Sequence, residues 1–301
     1  MSNLDSLSNA VTVQDKMKEL DRPPRRKRQR HPVQTTVTII ITLIVMIPFL
    51  WMLLMSFKPT NSILNDPLSI SGGLNFDNYK RALDTLDFAL LYKNTFTIAA
   101  LAIVIELVVT YLSSFALTRM VYKHKSVSSF IYVFFIAGQA IPPFILLFPV
   151  YRITLELGLQ NTYWSLVLPY IAMSIGFNTL LFVGFLRGFP TELEESAVID
   201  GAGMFTIAFR IVLPVVTPIV VTIFIFNVIY IWNEFPFAVT LISDPNMATI
   251  PLAISAFKSQ YDIDYGGIAA ASLMFIIPQL IFFALFQKKI IGGMTAGAVK
   301  G

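Results

Sequence analysis

Residues 190–214 read Pro190-Thr-Glu-Leu-Glu-Glu-Ser-Ala-Val-Ile-Asp-Gly-Ala-Gly-Met-Phe-Thr-Ile-Ala-Phe-Arg-Ile-Val-Leu-Pro214, and a long apolar stretch lies on either side of them. The segment is too polar to cross a bilayer and too regular to be a plain loop. Thr191 and Glu194 stand at capping-box spacing after Pro190, which predicts a helix start there. Glu192, Glu194 and Glu195 in its first turn complement the helix dipole. Leu193, Ala197 and Ile199 supply apolar contacts. Gly201-Ala202-Gly203 ends the helix, and a second one, 204–212, leads to Pro214 and the next apolar stretch. The expected object is a short surface helix fixed at both ends to membrane helices, able to pass a push from a soluble partner into them.

Working outward, the apolar stretches decide the fold class. Hydrophobic residues make up 55% of the 301 and charged residues only 13%, about half the charged share of an ordinary soluble domain. Six stretches reach the roughly 20 apolar residues that a hydrocarbon layer demands: 34–57, 95–118, 127–150, 163–186, 215–235 and 267–287. Each must be helical, because unpaired backbone amides cannot face lipid. Pro48, Pro142, Pro143, Pro169 and Pro278 fall inside them and predict kinks. The expectation is an all-α integral membrane protein with about six spans: a basic arm (1–33), a six-span domain (34–287, with the polar segment 190–214) and a tail (288–301).

Basic residues orient it. With the N-terminus in the cytoplasm, 16 of the 22 Lys and Arg fall inside, against six outside (Lys58, Lys80, Arg81, Lys93, Arg152, Lys258). Positive charge favours the cytoplasmic side, so both termini are expected there. The arm, with eight basic residues before position 31, reads as a disordered cytoplasmic tail in contact with anionic headgroups. It has no apolar core of its own and so does not read as a cleavable signal peptide, and no nucleic-acid role is expected. Two outer segments, 58–94 (turn chemistry at Asn65-Asp66-Pro67 and Gly72-Gly73) and 236–266 (Asp244, Asp262, Asp264), could together cap the mouth of a pathway.

Reactive chemistry is not expected. The chain has no cysteine, and its histidines are His31 and His124, which disfavours zinc and any Ser-His-Asp or Cys-His constellation. No glycine precedes a lysine, so the phosphate-binding loop G-x-x-x-x-G-K-[ST] is absent. A solute path would then use polar groups in the spans. Asn227, Tyr230 and Glu234 recur along one stripe of the fifth, and Tyr170, Ser174 and Asn178 along one stripe of the fourth. Such stripes suit sugar hydroxyls and pyranose faces, or else join helices to one another or to a partner chain. Glu106 stands alone near the middle of the second span. It is expected at a helix contact, a proton relay being disfavoured because no Lys, Arg or His accompanies it. Gly184 and Gly188, at G-x-x-x-G spacing, predict close helix packing.

Glu194-Glu195-Ser196-Ala197-Val198-Ile199-Asp200-Gly201-Ala202, followed by Ile211-Val212-Leu213-Pro214, resembles the E-E-A-A-x-I-D-G-A…I-x-L-P loop of binding-protein-dependent ABC importer permeases. The one departure is Ser196 for the first alanine. Trp232-Asn233-Glu234-Phe235 resembles the W-N-[DE]-F element of the carbohydrate branch of that family, and residues 287–301 resemble the C-terminus of its maltose permeases. The resemblance covers about residues 35–301. It implies that Glu194, Glu195, Ser196, Ala197, Asp200, Gly201, Ala202, Leu213 and Pro214 couple to an ATPase subunit, and that the tail reaches between two ATPase copies. It also implies a second homologous permease, an extracytoplasmic solute-binding protein, a sugar substrate, ATP and Mg on the ATPase, and a bacterial or archaeal inner membrane. A permease for another solute, such as a glycerol phosphoester, is the nearest alternative, although no Arg or Lys lies in the spans to hold an anion. An ion-coupled secondary transporter would leave 194–214 unexplained, and a membrane enzyme would need a constellation that the chain lacks.

Overall fold

The computed structural model describes residues 32–67, 75–259 and 263–298. The arm, Gly72-Gly73, Asp262 and the last three residues of the tail therefore lie outside the described residues. Two units are distinguished, one ending at Leu50 and the other beginning at Trp51. The first supplies most of α1 (Pro32–Met55), an apolar helix with Pro48 inside it. Its hydroxyls satisfy themselves: Thr38 and Thr42 each donate to the carbonyl four residues earlier, at 2.8 Å. That is how a polar side chain survives in an apolar helix.

The second unit contains α2 (Thr60–Asn65), α3 (Asp77–Thr85), α4 (Phe88–Arg119), α5 (Lys125–Ala137), α6 (Pro143–Glu156), α7 (Tyr163–Arg187), α8 (Glu192–Ile199), α9 (Met204–Asn233), α10 (Pro236–Leu241), α11 (Ile250–Ala253) and α12 (Tyr265–Ala298). Among the described residues, five helices, α1 included, are long and apolar enough to cross a membrane, or six if one bent pair is counted as a span. That pair corrects the expectation of a single third span over 127–150. The helix stops at a 3₁₀ turn, Gly138–Ala140, and resumes at Pro143, bent by 102°. Pro142 and Pro143 are the cause: neither has an amide to donate, and each forces its predecessor into extended backbone. Ile141 and Pro142 sit there, with ψ of 115° and 131°. Pro48, Pro169 and Pro278 instead stay inside continuous helices.

The fifth span departs in the other direction. No break separates 204–212 from it; α9 runs unbroken from Met204 to Asn233. Its second turn, Ile207–Val212, is wound as a π-helix, with the Leu213 amide bonded to the Ala208 carbonyl. The wider turn accommodates Pro214, whose ring and missing N–H would interrupt a regular α-helix. The last helix likewise continues past the expected end at 287, to Ala298.

Packing centres on α4, which lies along α7 for much of its length. Ile98, Ala102, Leu166, Val167, Ile231 and Leu241 form one buried cluster. Toward the Arg119 end, Tyr111, Phe115, Phe182, Leu186, Val212 and Val216 form another. Gly184 does not pack closely within the described residues, where a Cβ would meet nothing within 4 Å, so they do not supply the close helix contact expected from the G-x-x-x-G spacing. Close approach occurs at Gly176, where a Cβ would stand 2.6 Å from the Phe135 carbonyl and 2.7 Å from Gln139 Cγ. At the Asn94 end, the chain after α10 is pinned by side chains. The Asn94 amide donates to the Asn246 and Ala248 carbonyls (2.9 and 3.0 Å), and Thr95 Oγ1 accepts from the Ile250 amide (3.0 Å).

Candidate functional site

The two polar stripes face each other. Asn227 on α9 donates to Asn178 Oδ1 on α7 at 3.1 Å. One end further along, Tyr170 Oη donates to Glu234 Oε2 at 2.6 Å. The rings of Tyr170 and Tyr230 meet edge to face, with centroids 6.2 Å apart. Ser174 donates to the Ile171 carbonyl in its own helix (2.8 Å). Five of the six predicted path residues are thus buried inside this chain, between 0% and 6% exposed, and Tyr230 alone is open, at 39%.

Glu106 completes the group. It projects from α4 into the α7–α9 contact, 1% exposed, where Ser174 and Asn227 are the side chains that approach it. Neither makes a bond of ordinary geometry, and among the described residues both Glu106 oxygens and Asn178 Nδ2 have no hydrogen-bond partner. A buried donor and two acceptors therefore lie in one interior patch. Removing such groups from water without pairing them is costly, so the patch has the chemistry to hold a water or another small polar group.

Glu234 shows what the W-N-E-F element does in this fold. It closes α9 and also caps α10, its Oε1 accepting from the Phe237 amide (2.7 Å) and its Oε2 from the Ala238 amide (3.2 Å). A carboxylate at a helix N-terminus satisfies two amides that would otherwise have no partner. Its neighbours Trp232, Asn233 and Phe235 turn away, into a cleft of about 660 Å³ shared with Ser255, Lys258 and Tyr265.

At the Arg119 end lies the second candidate site. The helix predicted from residue 191 is α8, but the capping box does not form. Thr191 has helical backbone angles, and its hydroxyl donates to Glu195 Oε1 at 2.8 Å. Glu194 is drawn elsewhere: Arg119 Nε donates to its Oε1 at 2.8 Å, with both side chains about nine-tenths buried. The C-terminus follows the sequence closely. Gly201, at φ 81°, donates to the Val198 carbonyl, and Ala202 donates to the Ala197 carbonyl at 2.9 Å. These are the two bonds of a Schellman cap, and only glycine takes that φ without strain. Asp-Gly-Ala is thus the stop signal of α8.

The nine coupling candidates divide by register. Glu194, Ala197, Ala202 and Leu213 turn into the chain, the last three against the Tyr111–Val216 cluster. Glu195, Ser196, Asp200, Gly201 and Pro214 are exposed. Around them Leu193, Val198, Ile199, Met204 and Phe205 are open, Ile199 at 86% and Phe205 at 80%. Sequence reasoning missed Arg119, which it used only as an orientation marker. Its partner lies 75 positions away, and no local pattern links the two.

Residues 110–288 match the family of binding-protein-dependent transport system inner membrane components. The diacetylchitobiose uptake system permease protein DasC of Streptomyces coelicolor is 33% identical over 90% of this chain and 96% of its own length. The trehalose/maltose transport system permease protein MalG of Thermococcus litoralis is 31% identical over 87% of this chain and 94% of its own length. In fold, the chain is similar to a subunit of a bacterial ABC transporter that imports the acidic polysaccharide alginate, with a TM-score of 0.72, 20% identity, and coverage of 85% of this chain and 94% of that one. A multi-pass helical membrane chain with this motif, matched over most of its length, belongs to the binding-protein-dependent transport system permeases.

Proposed function

We propose that this chain is one permease half of an importer for a sugar or oligosaccharide, coupling movement of a separate ATPase to alternating access. It pairs with a second homologous permease and two ATPase copies, which hold ATP and Mg, and it receives solute from an extracytoplasmic binding protein. Both termini and α8 lie in the cytoplasm, and hydrolysis is not performed by this chain. Diacetylchitobiose and trehalose or maltose, the solutes in the names of its relatives, and the alginate of its structural neighbour support a saccharide.

The observation that carries the reading is the set of exposed large apolar side chains on α8 and the start of α9 (Leu193, Val198, Ile199, Met204, Phe205), among the exposed charges of Glu192, Glu195, Asp200 and Arg210. Large apolar side chains gathered on a polar, charged surface mark a docking site for a protein. Within the path, Tyr230 is the candidate to touch solute, since its ring is open while its stripe neighbours are buried. The test is to tag the chain, solubilise native membranes and identify what co-purifies. An ATPase, a second multi-span permease and a solute-binding protein are the expected partners. Recovery of the chain alone, with solute accumulation driven by a proton gradient, would overturn the reading.

A further inference from the structure

We propose that Arg119 is a positioning residue: paired with Glu194, it straps α8 to the end of α4 so that the two move as one body, and Glu194 is not among the groups that meet an ATPase. The inference rests on the docking reading above. An eight-residue helix has little stability of its own, so its attitude is set by what holds it. The apolar underside of α8 is slight, Ala197 with Ala202 behind it. The directional tie is the Arg119–Glu194 pair, 2.8 Å long and shielded from water, where an ion pair is screened far less than at the surface. Arg119 Nη2 also donates to the Phe189 carbonyl at 3.4 Å, tying the chain that enters α8. A second tie runs parallel: the Tyr111 hydroxyl donates to the Ala208 carbonyl in the π turn of α9. Movement of α8 therefore reaches α4 through side-chain bonds, and α4 carries Glu106 into the interior polar patch.

The chain has no cysteine, so introduced cysteines are its only thiol label sites, and the complex carrying the unsubstituted chain is labelled in parallel as the background. Glu192 on α8 and Val108 on α4 are both exposed. Each would be changed to Cys, labelled, and their separation measured by pulsed electron resonance in the co-purified complex, without nucleotide and trapped with ATP and vanadate. With Arg119 present, one narrow distance common to both states is expected. Arg119→Ala broadens it and makes it differ between states, and Arg119→Glu with Glu194→Arg restores it. Should Arg119→Ala fail to assemble, Glu194→Gln removes the charge and keeps the shape. Any ATPase recovery lost with Glu194→Gln should return to within twofold of the parent in the swapped pair, which keeps the tie and has no carboxylate at 194. The proposal is overturned if both single variants match the parent, if the parent distance itself changes on trapping, or if the swapped pair restores the distance and still loses the ATPase. Absence of an ATPase from the parent complex would instead remove the docking reading, and this inference with it.

Discussion

Glu234 offers the sharpest test of the interior arrangement. Its carboxylate accepts from Tyr170 Oη (2.6 Å), the Phe237 amide (2.7 Å) and the Ala238 amide (3.2 Å), and it is 6% exposed. Glu234→Ala strands all three donors. Each buried donor without a partner costs about 1–3 kcal/mol, so a simple sum runs from about 3 to 9. The three share one acceptor group, and groups in one network are not additive; water entering the vacated space also relieves part of the cost. The expected loss is about 3–5 kcal/mol. Glu234→Gln keeps one acceptor oxygen and should cost about 1–3 kcal/mol. Tyr170→Phe removes a single bond and leaves Oε2 still accepting from Ala238, so about 1 kcal/mol is expected. Reversible unfolding in mixed micelles, followed by tryptophan fluorescence, measures all three. The reasoning fails if Glu234→Ala lies within about 0.5 kcal/mol of the parent, the ordinary range for surface changes. It also fails if Tyr170→Phe costs as much as Glu234→Ala, since the α10 cap would then contribute nothing.

Three further outcomes follow from the geometry. Gly176→Ala should destabilise by about 1–3 kcal/mol through overpacking against a backbone carbonyl, whereas Gly184→Ala, facing open space, should stay within about 0.5 kcal/mol; the same unfolding assay reads both. Asn161, at φ 55°, accepts from the Ser243 and Asp244 amides (2.7 and 2.9 Å), so Asn161→Ala should speed hydrogen exchange at both amides. Asn161→Gly should do the same without the backbone strain. Tyr230→Ala should lower uptake about tenfold, a loss of about 1.4 kcal/mol of solute or transition-state contact, while unfolding changes by no more than the edge-to-face contact with Tyr170, about 0.5–1.5 kcal/mol; normal uptake would remove Tyr230 from the path.

How much of this was legible in the sequence depends on the range of the signal. Span length and apolar content are local quantities, so the long helices could be located, although α4, α9 and α12 run past their expected ends into segments the apolar count does not reach. The stop of α8 was legible because Gly201 answers a local backbone demand. The break at Pro142-Pro143 was flagged as a kink, but a proline pair does not state the size of a bend, and the 102° between the two helices could not be read from it. Pro214 misled in the opposite sense, because a π turn absorbed it. The capping box failed for a tertiary reason: Arg119 outcompetes the local amide for Glu194. The meeting of the α7 and α9 stripes, and the arrival of Glu106 between them, are long-range facts. Periodicity shows which residues share a face, and nothing in it names the face opposite.

Adjacent motif residues consequently do different jobs, and backbone geometry assigns them. Successive residues on a helix are about 100° apart, so Glu194 and Glu195 cannot face the same way. One turns inward to Arg119 and the other stays on the surface with Thr191. Just past α9, where the backbone turns extended at Glu234 (ψ 114°), Glu234 points to Tyr170 and Asn233 and Phe235 lie on the cleft. Loss of uptake on changing Glu194 or Glu234 is therefore no evidence of contact with an ATPase or a solute. Their bonds run inside the chain, and removing them changes the position of a helix. Glu195 and Tyr230 are the informative comparisons, because each belongs to the same motif or stripe and is exposed. A partner or solute contact should show at the exposed member of each set with stability largely kept, and an internal tie at the buried member with stability lost.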